Sequence, residues 1–165
     1  MEGSQAYRNA VEAGRVIGAA GFDLICGGYG GLMEASCRGC VEGGGKCAGI
    51  GLEHFDNPPN RFIGEFSRAK SLGRRLDDFV LKADRFLALP GGIGTVTEVL
   101  FVWDLAKSGQ TDKVPILLYG KAWTSLLRTL EKEFLIPPEA FADVKLVSGP
   151  AQLARDLGRG RETAS

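Results

Sequence analysis

Two glycine-rich segments constrain this chain more than any other feature. Cys26-Gly27-Gly28-Tyr29-Gly30-Gly31-Leu32-Met33 and Leu89-Pro90-Gly91-Gly92-Ile93-Gly94-Thr95 each join an apolar run of strand length to a helical pattern. Glycines at that junction mark backbone that turns tightly or lets something approach closely. The chain holds 24 glycines in 165 residues, about twice the usual ~7%. They cluster at 27–31, 43–45 and 91–94 instead of spreading as a linker would.

The apolar runs lie at 22–26, 47–52, 85–89, 114–119 and 144–147. They are near-continuous, as parallel strands covered on both faces are. Helical spacing fills the intervals. Ala6, Ala10, Ala13, Ile17 and Ala20 share one face, as do Met33, Cys37, Cys40 and Val41. Ala69, Leu72, Leu76, Phe79, Val80 and Ala83 form a third stripe. Residues 96–107 make a fourth helix, with Gly109 suited to its C-terminus, and 123–134 a fifth, stopped by Pro137 and Pro138. The alternation predicts an α/β fold with a doubly wound, mostly parallel sheet and helices on both faces. One domain is expected over 1–157, with a polar tail at 158–165. The chain opens directly into a helix, whereas such domains usually open with a strand. Either this fold starts differently or its first strand is absent from this chain.

Twenty basic residues balance twenty acidic ones. That balance argues against nucleic acid or an anionic membrane as partner. No apolar run is long enough for a transmembrane helix. Glu2, Arg8, Glu12 and Arg15 interrupt the start, unlike a signal peptide, so the expected compartment is the cytoplasm.

Both glycine turns fall at the carboxyl ends of parallel strands, where ligand crevices lie. Exposed N–H groups and the positive end of a helix dipole favour an anion there. Thr95 is placed to cap its helix or to donate to a phosphate oxygen. One such turn is compatible with an ordinary tight connection; two in one small sheet favour a phosphorylated ligand. No lysine follows the last glycine, so this is not a P-loop. The dinucleotide fingerprint fails where Thr97 replaces its third glycine. The ligand class is therefore a mononucleotide or sugar phosphate.

On a helical wheel Arg75 falls at the edge of the stripe formed by Leu72, Leu76 and Phe79, while Arg74 points toward solvent. An arginine beside a core stripe needs an anionic or π-rich partner. A snorkelling arginine or a structural ion pair accounts for the position equally well. Glu98 lies one turn into the second glycine turn's helix, among Thr95, Val102 and Leu105. It is placed either for chemistry beside a phosphate or to complement the helix dipole. Cys37 and Cys40 form a CxxC, a spacing shared with zinc and redox sites. Both lie on an apolar stripe, and Cys26 and Cys47 fall in strands, so small buried hydrophobes are the better reading. No metal site is assigned. His54 is the only histidine, which removes His-based triads and multi-His metal sites. The loop at 57–60 carries no readable signal.

At this point the residues resemble a known family. Pro90-Gly91-Gly92-Ile93-Gly94-Thr95-Val96-Thr97-Glu98 matches the PGGxGTxxE signature of the LOG family, the cytokinin riboside 5'-monophosphate phosphoribohydrolases once described as lysine decarboxylases. The segment 27–33 is similar to that family's GGGxxGLM. Leu72-Gly73-Arg74-Arg75-Leu76 stands where the family carries MxxRK, which puts Arg75 at its catalytic arginine and Leu76 where lysine is usual. The resemblance runs from about Gly3 to about Leu130. It implies a Rossmann-like nucleotide-binding domain that cleaves the N-glycosidic bond of a purine nucleoside 5'-monophosphate, giving free base and ribose 5-phosphate. Arg75 and Glu98 would be catalytic. Gly27, Gly28, Gly30, Gly31, Met33, Gly91, Gly92, Gly94 and Thr95 would hold the nucleotide, with no cofactor. It further implies a homodimer with residues 95–107 near the interface. Some relatives look like non-catalytic carriers, for example of molybdenum cofactor, which is the alternative reading. The family's opening strand is missing here, and Gly3-Ser4 looks like the remnant of the turn that follows it.

Overall fold

A computed structural model describes residues 3–112 and 115–158. The described residues divide into two compact units, one running to Lys82 and taking up Leu157 and Gly158, the other Ala83–Asp156. The first unit contains α1 (Gln5–Ala19), β1 (Leu24–Cys26), α2 (Leu32–Glu42), β2 (Cys47–Leu52), β3 (Glu65–Ala69) and α3 (Leu72–Lys82). Its three strands are parallel and run β1-β2-β3 across the sheet, with Cys26 beside Gly49 and Leu52 beside Ala69.

Alternation along β2 sends side chains to two faces. Ile50 and Leu52 join Ala69 in a buried cluster that also takes Ile25 and Phe79 of α3. On the other face the Cys47 thiol lies 3.5 Å from the Cys37 carbonyl of α2. Helices therefore cover both sides of this sheet. α1 packs along α2 with their backbones in contact. A Cβ at Gly14 would overlap the Ser36 carbonyl, and one at Gly39 would overlap the Val11 carbonyl. Arg15 and Arg38 meet Glu42 at 2.6 and 2.9 Å along the rim of this contact.

The second unit contains β4 (Leu87–Ala88), α4 (Ile93–Lys107), β5 (Ile116–Tyr119), α5 (Ala122–Glu133), a 3-10 turn (Pro138–Asp143), β6 (Val144–Val147) and all but the last residue of α6 (Pro150–Leu157). Its strands are also parallel, in the order β4-β5-β6. All four residues of β5 are buried, as a central strand covered on both faces requires. The two tryptophans keep their indole N–H groups satisfied inside the unit. Trp103 donates to Ala140 O at 2.8 Å and Trp123 to Ala88 O at 3.1 Å.

The runs at 47–52 and 144–147 coincide with β2 and β6. The run at 22–26 contracts to Leu24–Cys26, and that at 85–89 to Leu87–Ala88. β5 begins at Ile116; Val114, the expected first residue of that strand, lies outside the described residues, as does the tail from 159. β3 is an addition. It is an outer strand of its sheet with Glu65, Ser67 and Arg68 exposed, so no apolar run announces it. The turn at 138–143 and α6 are likewise additions. Gly109 follows α4 with φ 71°, as expected of a C-terminal glycine. Among the described residues no helix is long and apolar enough to cross a membrane.

The α1–α2 contact reverses an ordinary expectation. Helix propensity alone makes Gly→Ala favourable by about 1 kcal/mol. At Gly14 or Gly39 the methyl group would enter backbone, so Gly14→Ala and Gly39→Ala are each expected to destabilise by ~1–3 kcal/mol. Gly73→Ala in α3, where a Cβ meets nothing within 4 Å, should be neutral or stabilising. Urea denaturation of the three variants checks the contrast.

Candidate functional site

In the first unit the first glycine turn, Met33 and Arg75 come together. β1 ends at Cys26, and the chain passes through Gly27 and Gly28 before α2 starts after Gly31. Gly28 and Gly31 have φ of 77° and 73°, the left-handed region that side chains rarely enter. Gly31 is the N-cap of α2, and no side chain bonds to that helix end. The N-terminus of α1, by contrast, is capped by the Ser4 hydroxyl, which accepts from the Tyr7 N–H at 3.1 Å. Glu34 lies in the first turn of α2 and meets Arg61 at 3.7 Å.

Three contacts fix this turn. The Tyr29 hydroxyl accepts from the Leu52 N–H at 3.1 Å, and its ring meets Phe55 and Phe66 edge-on at 6.1 and 6.2 Å. That ring lies over Gly51, where a Cβ would stand 2.6 Å from the hydroxyl. Asn60 clamps the outside of the turn. Its backbone N–H donates to Gly28 O at 2.7 Å, and its side-chain amide donates to Gly28 O and Tyr29 O at 3.1 and 2.9 Å. The loop at 57–60 thus holds a positioning residue that periodicity could not reveal, because Asn60 acts on residues 32 positions earlier.

Arg75 supplies the third contact. Its Nε donates to Ile50 O at 2.8 Å, and its guanidinium lies 5.2 Å from the centre of the Phe79 ring. The π-rich partner is therefore one turn ahead on the same helix. A Cβ at Gly27 would overlap Arg75 Nη2 and stand 2.9 Å from Met33 Sδ. Glycine at 27 is what lets the guanidinium and the thioether rest on the turn. Arg74 is exposed and faces Asp78 at 3.9 Å. Leu76 is buried at 7% exposure.

In the second unit β4 leads through Pro90 and Gly91 to Gly92, the N-cap of α4. No side chain caps this helix. Thr95 is its third residue, not its cap, and its N–H bonds to Gly92 O at 3.1 Å. Its side chain lies where a Cβ on Gly91 would be. Gly91, Gly92 and Gly94 are exposed. Trp123 steadies the strand end beneath them through Ala88 O, and a Cβ on Gly120 would stand 3.5 Å from Pro90 Cγ. Glu98, in the second turn of α4, is half-buried. Val99, Val102 and Trp103 are buried, with Trp103 against Phe141, whereas Ile93 and Leu100 are exposed. Among the described residues no three His, Cys, Asp or Glu side chains are grouped to hold a metal ion.

Two helices that follow parallel strands thus begin at glycine N-caps without a side-chain cap. N–H groups at such ends suit phosphate oxygens. Residues 33–157 match the family described as "Possible lysine decarboxylase". A probable cytokinin riboside 5'-monophosphate phosphoribohydrolase of rice (Oryza sativa subsp. japonica) is 31% identical over 156 residues, covering 90% of this chain. The chain spans 62% of that relative's length. A cytokinin riboside 5'-monophosphate phosphoribohydrolase of Arabidopsis thaliana is 31% identical over 139 residues, covering 79% of this chain and 65% of its own. Among solved structures, the molybdenum cofactor binding protein of Rippkaea orientalis superposes with a TM-score of 0.73 at 20% identity, covering 93% of this chain and 86% of its own. The molybdenum cofactor carrier protein of Chlamydomonas reinhardtii gives 0.68 at 20% identity, covering 93% and 87%. At those identities the two structures establish a shared Rossmann-like α/β fold. The profile match and the plant relatives establish more: the chain belongs to the possible lysine decarboxylase family, which is the LOG family.

Proposed function

We propose that this chain hydrolyses the N-glycosidic bond of purine nucleoside 5'-monophosphates, adenine or N6-modified adenine among them, to free base and ribose 5-phosphate. The observation that carries the reading is Arg75. It stands at the family's arginine position and is held by Ile50 O against the Gly27 backbone. The PGGIGTVTE segment and the plant relatives support the same reaction.

Each residue then has a chemical role. Glycosidic cleavage passes through an oxocarbenium-like ribosyl cation. Glu98 as a carboxylate stabilises that cation and orients the attacking water. Arg75 holds the substrate and offsets charge on the departing base. Gly27, Gly28, Gly30, Gly31, Met33, Gly91, Gly92, Gly94 and Thr95 bind the nucleotide, and the 5'-phosphate contributes binding energy remote from the bond that breaks. No cofactor takes part. The proposed partners are the nucleotide and a second copy of the chain, in the cytoplasm, without nucleic acid or membrane.

A second reading, a nucleotide or molybdenum-cofactor carrier, is favoured by Leu76. An apolar, buried side chain stands there where the family usually has lysine. Incubating the purified protein with AMP and with N6-prenylated AMP separates the two. Release of free base supports hydrolysis; tight binding without release supports the carrier.

Glu98→Gln keeps size and much of the hydrogen bonding but removes the negative charge. AMP affinity by titration calorimetry is expected to stay within about tenfold, or ~1.4 kcal/mol. Base release should fall by ~10²-fold or more, because the lost charge acts on the developing cation. Release at the parental rate would leave Glu98 a dipole-complementing carboxylate. Arg75→Ala should lower affinity and turnover together, since it serves ground and transition states alike. Ile93 at 83% and Leu100 at 39% exposure leave apolar surface on α4, so light scattering at micromolar concentration is expected to give twice the chain mass. A monomer there would remove the dimer.

A further inference from the structure

The chemistry above leaves four cysteines unused, and two of them face each other beside the first glycine turn. Cys26 is the last residue of β1 and Cys37 lies midway along α2, with their sulfurs 3.6 Å apart. The segment between them is the glycine turn together with the start of α2. All four cysteines are unpaired thiols. The other two meet backbone oxygens as well as thiols: Cys47 Sγ meets Cys37 O at 3.5 Å and Cys40 Sγ meets Lys46 O at 3.7 Å, and the Cys47 thiol also bonds to those of Cys37 and Cys40.

We propose that Cys26 and Cys37 form a reversible disulfide under peroxide, closing a covalent ring around the first glycine turn. Disulfide sulfurs are about 2.05 Å apart, so the two sulfurs, already 3.6 Å apart, have about 1.5 Å to close. Cys26 is the half-buried member, whereas Cys37, Cys40 and Cys47 are buried. The hydrogen bond to Cys37 and burial hold the Cys26 thiol well above its ordinary value, and the positive charge of Arg75, which rests on the neighbouring Gly27, opposes them. Cys37 takes up the proton that Cys26 must lose. Donation from the Cys26 and Cys47 thiols and the Asn60 amide pulls the Cys37 thiol down, so the two sulfurs share one proton across their contact.

The steps balance. Cys26 passes its proton to the Cys37 thiolate and attacks one oxygen of hydrogen peroxide. The O–O bond breaks, leaving a sulfenic acid on Cys26 and a hydroxide ion. Cys37 then attacks the Cys26 sulfur, its proton leaves with the sulfenic oxygen as water, and the S–S bond forms. The two sulfurs lose two electrons and the peroxide gains them. A dithiol reductant reverses the change.

Closure acts on the turn through two contacts. The Gly28 N–H donates to Cys26 Sγ at 3.3 Å. Drawing that sulfur toward α2 removes this acceptor. The Asn60 amide nitrogen, which holds Gly28 O and Tyr29 O, is 3.9 Å from Cys37 Sγ, so movement of that sulfur disturbs the clamp. The oxidised form is therefore expected to bind a nucleoside monophosphate about tenfold more weakly, a consequence that rests on the proposed nucleotide site.

The test treats the reduced full chain with a few equivalents of hydrogen peroxide and maps peptides without reductant. A peptide linking Cys26 to Cys37 is expected, with a protein mass lower by two hydrogens. Cys26→Ser should abolish it, and the Cys40→Ala, Cys47→Ala double variant should retain it. A Cys26 sulfinic acid without a linked peptide, or a link through Cys47, overturns the proposal. AMP calorimetry on the reduced and oxidised forms is the second readout. Weakening reversed by dithiothreitol and absent in Cys26→Ser supports control of the turn; equal affinity of the two forms overturns that control. Should the reduced protein bind no AMP, the nucleotide reading fails, and the linked peptide still decides the disulfide.

Discussion

The first unit depends on one strand that, past Cys47, is bare on one face. β2 carries Gly49 and Gly51 on that face and Ile50 and Leu52 on the other. A Cβ at Gly49 would stand 2.7 Å from the Phe66 ring, and one at Gly51 would meet both Phe66 and the Tyr29 hydroxyl. Because these side chains are missing, two aromatic rings lie directly on the strand, and Tyr29 carries the glycine turn down with it. The opposite face is packed in the ordinary way against Phe79 of α3. The same strand offers its Ile50 carbonyl to Arg75. One strand therefore sets the height of the turn from one side and the position of the arginine from the other.

The second unit solves the same problem with indole groups. Trp123 grips the carbonyl of Ala88, two residues before Pro90, so the approach to the second turn is fixed from α5. Trp103 ties the middle of α4 to the 3-10 turn at Ala140. A hydrogen bond from a buried indole is retained because the unpaired N–H would cost about 1–3 kcal/mol. Each ring thus brings apolar area and one directional contact to the same place.

Much of this was legible in residue patterns, for identifiable reasons. β2 and β6 are apolar runs bounded by polar or glycine residues, so their limits coincide with the runs. Arg75 and Arg74 differ in environment as their wheel positions require, because α3 is regular over both. β3 escaped because Glu65, Ser67 and Arg68 are exposed, and one phenylalanine amid polar residues gives no run. Asn60 escaped because its partners are distant in sequence and its own loop has no period. Gly14 and Gly18 in α1, and Gly39 in α2 with Gly43 at its C-cap, recur at four-residue spacing. That spacing was available, but its meaning depends on knowing which two helices touch. Thr95 has a capping side chain, yet the helix begins two residues earlier, at Ile93, and Gly92 takes the cap position.

The bond from Arg75 to Ile50 has a consequence for what can occupy position 75. The Nε edge of the guanidinium is committed to a main-chain acceptor, and its flat face is turned to Phe79. The terminal nitrogens are thereby held in a plane fixed by the strand, with little orientational freedom left to the group. A lysine of equal charge has a single nitrogen. If it held the strand carbonyl it would have no second atom to present, and if it released the carbonyl it would become a mobile charge on a flexible stem. Charge alone is therefore a poor guide to substitution here, and planarity with more than one donor atom is what the position demands.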